Sequence, residues 1–383
     1  QLTDTQSSFV DGAVYMAYFS IALPAGWFMH RYGYKKGVLF GLLLYGVGSL
    51  LFIPAAGARE YYLFLIALFI AASGATFLET VANPYITKLG DPTTATQRLN
   101  FAQSFNGIGA VVAPIVGGQM ILSGVEYSKE ELQQMDPAAL AAYLDSEVAT
   151  VKLPYLVIGI IVFILLVFFF FTKLPEVREK NATASSKFSF SVFRYPQLKW
   201  AVIAQFFYVG AQTCVFSFFI RFAKFTDNMG EKQAAFIWGF IAMVGFMIGR
   251  FAGTFLMRYI KPARLLGIYS LISIGLLALV ITMKGAVAVY ALVGVPFFMS
   301  VMFPTIFSMG ITGLGEETKI ASSFIVMAIV GGAIFPLLMG RISDATGGNI
   351  QVAYIIPAAC FAVIALFAYR FRNLSPSAEI AHP

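Results

Sequence analysis

Only two cysteines and two histidines occur among 383 residues, and charged side chains make up just 12% of them. Cys214 and Cys360 both sit inside apolar stretches, so neither a disulfide framework nor a paired-cysteine metal site is expected. His30 lies in a polar loop and His382 in the tail, and no apolar stretch carries a His/Glu or Cys/His metal spacing. No metal, no cofactor and no enzymatic chemistry are therefore expected. The net charge of +7 would suit nucleic acid only if its cations were clustered on one soluble face; they are scattered over short loops, so no nucleic-acid partner is expected.

What the chain has in abundance is apolar surface: 59% of residues are hydrophobic and 16% aromatic, with a mean hydropathy of +0.79. That is outside the range of soluble globular domains and reads as a protein whose main partner is a lipid bilayer. Continuous apolar runs lie near 7–29, 37–57, 61–88, 99–123, 153–172, 197–223, 233–258, 263–283, 286–313, 318–340 and 351–370. Each is long enough, at about 1.5 Å per residue, to cross a hydrocarbon core about 30 Å thick. They are continuous rather than alternating, which favours helices over barrel strands. An all-α membrane protein with eleven helices is the expected fold class.

The cations fall on alternate sides of successive runs: His30 to Lys36, Lys88 and Arg98, Lys173 to Lys199, Arg258 to Arg264, then Arg370 and Arg372. The positive-inside rule makes that side cytoplasmic, with the linker and C-terminus on it. The longest loop on the other side, "GVEYSKEELQQMDPAALAAYLDSEVATVK", is net acidic, and the "NAT" sequon at Asn181 falls on the inner side and is read as chance. One polar, basic segment, 173–196, separates an N-terminal bundle at 1–172 from a C-terminal bundle at 197–372, with a tail at 373–383. It reads as a linker rather than a domain.

Motifs repeat across that linker. "GWFMHRYGYKK" at 26–36 has a worn copy in "GTFLMRYIKPA" at 253–263, pairing Gly26 and Arg31 with Gly253 and Arg258 at an offset of 227. "ITKLGD" at 86–91 matches "ITGLGE" at 311–316, and Pro114 of "APIVGG" pairs with Pro336 of "IFPLLMG". Matches in one order at nearly one offset read as two parallel repeats, a common construction among secondary transporters. Five runs precede the linker and six follow, so with six helices per repeat the first repeat is expected to lack its first helix, and a functional protein to have twelve.

Polar side chains inside the apolar runs are the candidate functional residues. Glu79 lies deep in the third run, where a carboxylate costs about 2.5–3.5 kcal/mol on insertion scales, so it either relays protons or binds substrate facing a cavity, or is a buried structural acid. Asn83 follows at i+4 on the same face. In the next run Asn100, Gln103 and Asn106 share an arc of about 120°. Such amides donate and accept, as sugar hydroxyls require, although they can also tie helices together. Gln205, Tyr208 and Gln212 share one face of the sixth run, the tyrosine adding a hydroxyl and an aromatic platform for a pyranose. Phe216, Phe218 and Phe219 read as core or lipid-facing. Arg250 lies eight residues, about 12 Å, from Arg258. This is too far to snorkel easily, so it is expected to point into the bundle, against substrate oxygens or an acid. An arginine keeps its proton and so cannot carry it. Asp11, at the outer start of the first run, suits the helix dipole. Gly26, Arg31, Gly33, Lys35, Gly253 and Arg258 are read as orienting and gating residues of the basic loops.

The loop "GWFMHRYGYKK" resembles the signature of the major facilitator superfamily, with His30 where an Asp usually stands. Within it, "FLETVANPYITKLG", "RLNFAQSFNGIGA", "FFYVGAQT", "IGRFAGT", "FPTIFSMGI" and "SSFIVMAIVGG" resemble the fucose:proton symporter family, from about residue 7 to 372. That resemblance implies the major facilitator fold of two six-helix repeats and a monomer in a bacterial inner membrane. It further implies import of a monosaccharide, L-fucose first, by proton symport, with Glu79 as the protonatable residue of its helix and Gln103 and Asn106 on the sugar cavity. The family's other acid sits in the helix this chain lacks. Met302 and Phe303 stand where fucose permeases are more polar and look more like the glucose and galactose members, so a proton- or sodium-coupled glucose/galactose transporter is the alternative. A drug exporter and a membrane enzyme are rivals from other classes.

Overall fold

In lipid a backbone must bond to itself, and a helix does so within one segment. The structure, a computed structural model, describes residues 4–58, 60–121, 131, 134–175 and 190–374, which form helices and no strand. Eleven long helices follow in order: α1 (Asp4–Tyr32), α2 (Tyr34–Ala58), α3 (Tyr61–Lys88), α4 (Ala95–Ile121), α5 (Pro137–Phe171) and α6 (Pro196–Ser217), then α7 (Glu231–Leu256), α8 (Pro262–Thr282), α9 (Ala286–Ile311), α10 (Gly315–Ala345) and α11 (Ile350–Arg370). Among the described residues ten are long and apolar enough to span a bilayer. The eleventh, α4, is 27 residues long and carries its polar strip in its first half.

Boundaries differ from the apolar runs where local chemistry intervenes. The helix expected from residue 153 starts at Pro137, because the Asp136 carboxylate accepts from the amides of Ala138 (3.0 Å) and Ala139 (3.4 Å) and satisfies donors that a helix start leaves open. The run expected at 197–223 is two helices: α6 stops at Ser217, and a short helix, Phe219–Asp227, ends on Asn228 in the left-handed region, φ 50°. α7 contains a π-turn at Ile237–Ala242, α9 is interrupted between Met299 and Met302, and α10 contains a 3₁₀ turn at Ala328–Val330.

Within the first five helices α3 packs on α1 and α2, and α2 on α5; in the remainder α6 packs on α10 and α11, α8 on α9 and α11, and α7 on α9. The two sets meet where α1 lies on α10, α4 on α7 and α9, and α3 on α10. Several hydroxyls inside the bundle are satisfied by their own helix: Ser49, Thr76 and Ser273 each donate to the carbonyl four residues back, at 2.8–2.9 Å. Cations terminate helices on the basic side. Arg98 donates to the carbonyls of Ile86 (3.1 Å) and Thr87 (2.9 Å) at the end of α3, and Lys35 to those of Phe170 (2.8 Å) and Thr172 (2.9 Å) at the end of α5. Both fill acceptors that a helix C-terminus leaves without a partner.

The α2–α3 crossing is the tightest backbone contact between neighbouring helices of the first set. A Cβ added to Gly74 would sit 2.3 Å from the Tyr45 backbone nitrogen, and one added to Gly48 would sit 2.3 Å from that of Ala71. Backbone cannot rotate away as a side chain can. Gly74→Val is therefore expected to destabilise by about 1–3 kcal/mol, the usual range for overpacking. It should lower the thermal unfolding midpoint in detergent, whereas Gly57→Ala, with nothing within 4 Å, should leave it unchanged.

Candidate functional site

A cavity of about 500 Å³ lies where the two helix sets meet. The first set contributes Tyr15 and Tyr18 from α1, Glu79 from α3, and Gln103 and Asn106 from α4; the second contributes Gln212, Thr213 and Phe216 from α6, Phe246 and Arg250 from α7, Phe303 from α9 and Ile329 from α10. A larger groove, about 850 Å³, opens between α8 and α11 and has none of these groups. Converging polar side chains in an otherwise apolar wall identify the smaller space as the candidate site.

Glu79 receives one hydrogen bond, from the Tyr18 hydroxyl to Oε1 at 3.3 Å, while Oε2 is buried without a partner among the described residues. Arg250, 5% exposed, donates through Nη1 to the backbone carbonyl of Gln103 and, at 3.4 Å, to its Oε1. Its guanidinium lies 4.7 Å from the centre of the Phe246 ring, a cation–π arrangement. Gln103 Nε2 donates to Asn83 Oδ1 at 2.8 Å, and the Asn106 amide lies 3.5 Å from Gln103 Oε1, too long for a full hydrogen bond. Across the space, the hydroxyls of Tyr15 and Thr213 are 3.1 Å apart and join α1 to α6. Glu79 and Arg250 share the wall without forming an ion pair. An acid, a cation and several amides thus face one space with capacity left over, the arrangement that binds a polar, uncharged solute with many hydroxyls.

On the basic side of this cavity the two sets are in contact. A Cβ on Gly26 of α1 would lie 1.7 Å from Ser323 Oγ of α10, so only a glycine lets these helices approach. Ser322 Oγ donates to the Thr80 carbonyl at 3.3 Å, the hydroxyls of Thr96 and Ser308 are 2.8 Å apart, Gln97 donates to the Thr254 carbonyl at 3.2 Å, and Asn100 Nδ2 to Thr305 Oγ1 at 3.2 Å. Lys88 donates to the Gly315 carbonyl at 3.2 Å, and the Lys319 ammonium is 5.4 Å from the centre of the Tyr34 ring.

Of the side chains singled out in the sequence, Glu79, Gln103, Asn106, Gln212 and Arg250 lie on the cavity wall. Asn83 stands behind it, bonded to Gln103. Asn100 is buried between the sets, bonded to Thr305 and to the carbonyl of Thr96. Gln205 and Tyr208 share the helix face of Gln212 but lie outside the wall. Tyr208 donates to the Met299 carbonyl at 3.0 Å within the core, and both amide atoms of Gln205 are buried without partners among the described residues. Among the loop residues, Gly33 joins α1 to α2 at φ 83°, Arg31 is exposed, and Arg258 stacks over Phe255, 5.7 Å from its ring centre. Lys35 ends α5, and Gly253 packs on Val301. The side chain of Asp11 lies outside the described residues. Phe216 lines the cavity, one turn beyond Gln212 on the same face; Phe219 is core. Tyr15 and Tyr18 were not singled out in the sequence, although their i, i+3 spacing marks one helix face just as that of Gln205 and Tyr208 does.

The family model for the Major Facilitator Superfamily matches residues 1–329. The L-fucose-proton symporter of Escherichia coli (strain K12) is 43% identical over 380 residues, 97% of this chain and 86% of that protein. A glucose/galactose transporter of Brucella abortus biovar 1 (strain 9-941) is 39% identical over 373 residues, 96% of this chain and 85% of that one. The crystal structure of the transporter FucP in its outward conformation superimposes with a TM-score of 0.90 at 43% identity, covering 98% of this chain and 92% of that one. A second structure, of the E. coli fucose:proton symporter, gives the same TM-score over 97% and 92%. The xylose symporter XylE, 14% identical, shares the fold with a TM-score of 0.69. These relatives are transporters rather than enzymes, and this chain, an all-α membrane protein with their fold, belongs to the major facilitator superfamily.

Proposed function

We propose that this chain imports a monosaccharide by proton symport, L-fucose first, with the sugar held in the 500 Å³ cavity and Glu79 carrying the coupled proton. The observation that carries this reading is the state of that carboxyl group: one hydroxyl donor on one oxygen and, among the described residues, no partner on the other. A buried carboxylate satisfied by so little is expensive, and binding a proton removes the charge. The relatives named as L-fucose-proton symporters support the choice of cargo and ion. The glucose/galactose transporters, similar over the same share of the chain, make hexose transport the second reading, with sodium as the alternative coupling ion. Phe303 on the wall favours it, since it offers an apolar face and no hydroxyl.

Gln103, Asn106, Gln212 and Arg250 bind the sugar in this scheme, with Asn83 fixing Gln103, Tyr15 and Tyr18 adding hydroxyls, and Gln205 and Tyr208 shaping the floor beneath. Arg250 cannot give up a proton; besides meeting the sugar it holds α7 against α4 through Gln103. Residues 1–172 and 197–372 act as two bodies joined by the 173–196 linker, rocking about the cavity so that each membrane face is exposed in turn. In this reading the basic, closed face is the cytoplasmic one by the positive-inside rule, with the linker and C-terminus on the cytoplasmic side of a bacterial inner membrane. The carrier works as a monomer.

In proteoliposomes with labelled L-fucose, glucose and galactose, simultaneous pH recording and sodium omitted, sugar entry is expected to move protons with it. A sugar-independent pH trace would reject symport. Glu79→Gln should lose uphill accumulation while retaining sugar binding and exchange across the membrane; normal accumulation by that variant overturns the assignment of the proton. Gln103→Leu leaves Asn83 Oδ1 without its donor and removes the longer of the two Arg250 contacts, that to Gln103 Oε1 at 3.4 Å, while the backbone carbonyl stays in place. It should weaken sugar binding by about tenfold or more, as losing a buried hydrogen-bonding group does, and reduce exchange as well, read by isothermal titration and counterflow.

A further inference from the structure

The groove between α8 and α11, about 850 Å³, shares no residue with the sugar cavity. Its mouth on the basic side carries Lys261, Arg264 and Arg372, all three exposed. Among the described residues none of them forms an ion pair. Arg372 is held over the ring of Tyr369, 4.4 Å from its centre. Tyr369 is itself 65% exposed, an aromatic at the level where such rings favour the membrane–water boundary.

Behind these cations the trough is apolar, walled by Leu271 of α8 and Leu366 of α11, and its depth comes from small residues at Gly267 and Ala365. A Cβ added to Gly267 would meet only that of Ala368, at 3.6 Å. The groove runs along α8 from Lys261 to Ile274 and along α11 from Asn373 back to Ala362. At about 1.5 Å per residue these lengths are roughly 15–20 Å, the depth of one leaflet in a hydrocarbon core about 30 Å thick.

The two ends of this groove ask for different chemistry in one ligand. A free aqueous anion would use the cations and leave the trough empty; an uncharged lipid would use the trough and leave three cations without an anion among the described residues. We propose that the groove is a binding site for one anionic phospholipid of the surrounding bilayer, its phosphate among Lys261, Arg264 and Arg372 and an acyl chain along the trough between α8 and α11. Basic pockets between membrane helices at the cytoplasmic surface recognise such head groups. The site is independent of which sugar or ion the carrier uses.

Native mass spectrometry of the full chain in neutral detergent tests this, with phosphatidylglycerol and phosphatidylcholine titrated separately. One phosphatidylglycerol is expected to be retained at concentrations where phosphatidylcholine is not. The triple variant Lys261→Gln, Arg264→Gln, Arg372→Gln should weaken that retention on the order of tenfold or more, since each surface cation contributes to anionic-lipid attraction. A charge-matched variant at exposed positions outside the groove, Lys36→Gln, Lys173→Gln, Lys199→Gln, should not. Gly267→Leu keeps every cation but fills the trough and should also reduce retention, whereas Gly267→Ala, which has room, should behave as the parent. Thermal midpoints without lipid identify any variant that has misfolded. Equal retention of both lipids, equal loss in both triple variants, glycerol phosphate competing as well as the intact lipid, or a lipid-independent dimer that disappears in the groove variant would each overturn the proposal.

Discussion

Hydrocarbon offers no hydrogen bonds, and the whole arrangement of this molecule follows from that one fact. Serine and threonine hydroxyls fold back on their own helices, arginine and lysine close helix ends, and an amide such as Gln351 reaches the last carbonyls of α8 at Val280 (2.8 Å) and Met283. Against that background the groups left short of partners stand out. Glu79 Oε2, Asn83 Nδ2 and Arg250 Nε are all buried without one among the described residues, and all belong to the cavity wall or the residues directly behind it. Buried atoms without a partner among the described residues also occur away from the cavity, as at Gln205, Thr226 and Thr318, so it is the convergence of an acid, amides and a cation on one space that marks where a polar solute could supply what is missing.

Legibility of the site in the sequence depended on whether a residue contrasts with its surroundings. Glu79 is an acid in a long apolar run, and Gln103 and Asn106 form a strip on one face, so both signals survive without coordinates. Periodicity, however, gives direction around a helix and not depth along it. Gln205, Tyr208 and Gln212 share a face, but α9 packs beneath the lower two, with the Met299 carbonyl taking the Tyr208 hydroxyl, and only Gln212 reaches the open space. Tyr15 and Tyr18, despite their shared helix face, went unremarked for a different reason. A tyrosine is unremarked in an aromatic chain until α1 is seen to bring it against Glu79 and Thr213.

The fold was legible to a similar depth. Charge between apolar runs marked eleven helices and their alternation, because a charged side chain is costly anywhere but at a membrane surface. Hydropathy did not reveal the early start of α5, which is a capping effect of Asp136, nor the break after Ser217, nor the irregular turns in α7, α9 and α10. Two of those irregularities adjoin the cavity: Phe303 follows the interruption in α9, and Ile329 sits in the 3₁₀ turn of α10. Backbone irregularity of this kind is tolerated at membrane depth where protein or a cavity surrounds it, and apolar runs carry no trace of it.

Neutral hydrogen bonds are the larger part of the contacts described on the closed basic side, and their size would suit a reversible gate. Four neutral hydrogen bonds join the sets there, through Ser322, Thr96, Gln97 and Asn100. At about 0.5–1.5 kcal/mol net apiece, they amount to a few kcal/mol, comparable to what a ligand of moderate differential affinity can overcome when it shifts a two-state equilibrium. A buried ion pair in the same place would be costly to break, because each separation would strand a charge in a desolvated interface. Lys88 and Lys319 also cross the interface, the first donating to the Gly315 carbonyl and the second lying over the Tyr34 ring. Glu79, on the cavity wall and bonded to Tyr18, takes no part in those four hydrogen bonds, so opening or closing the basic side need not break its contact.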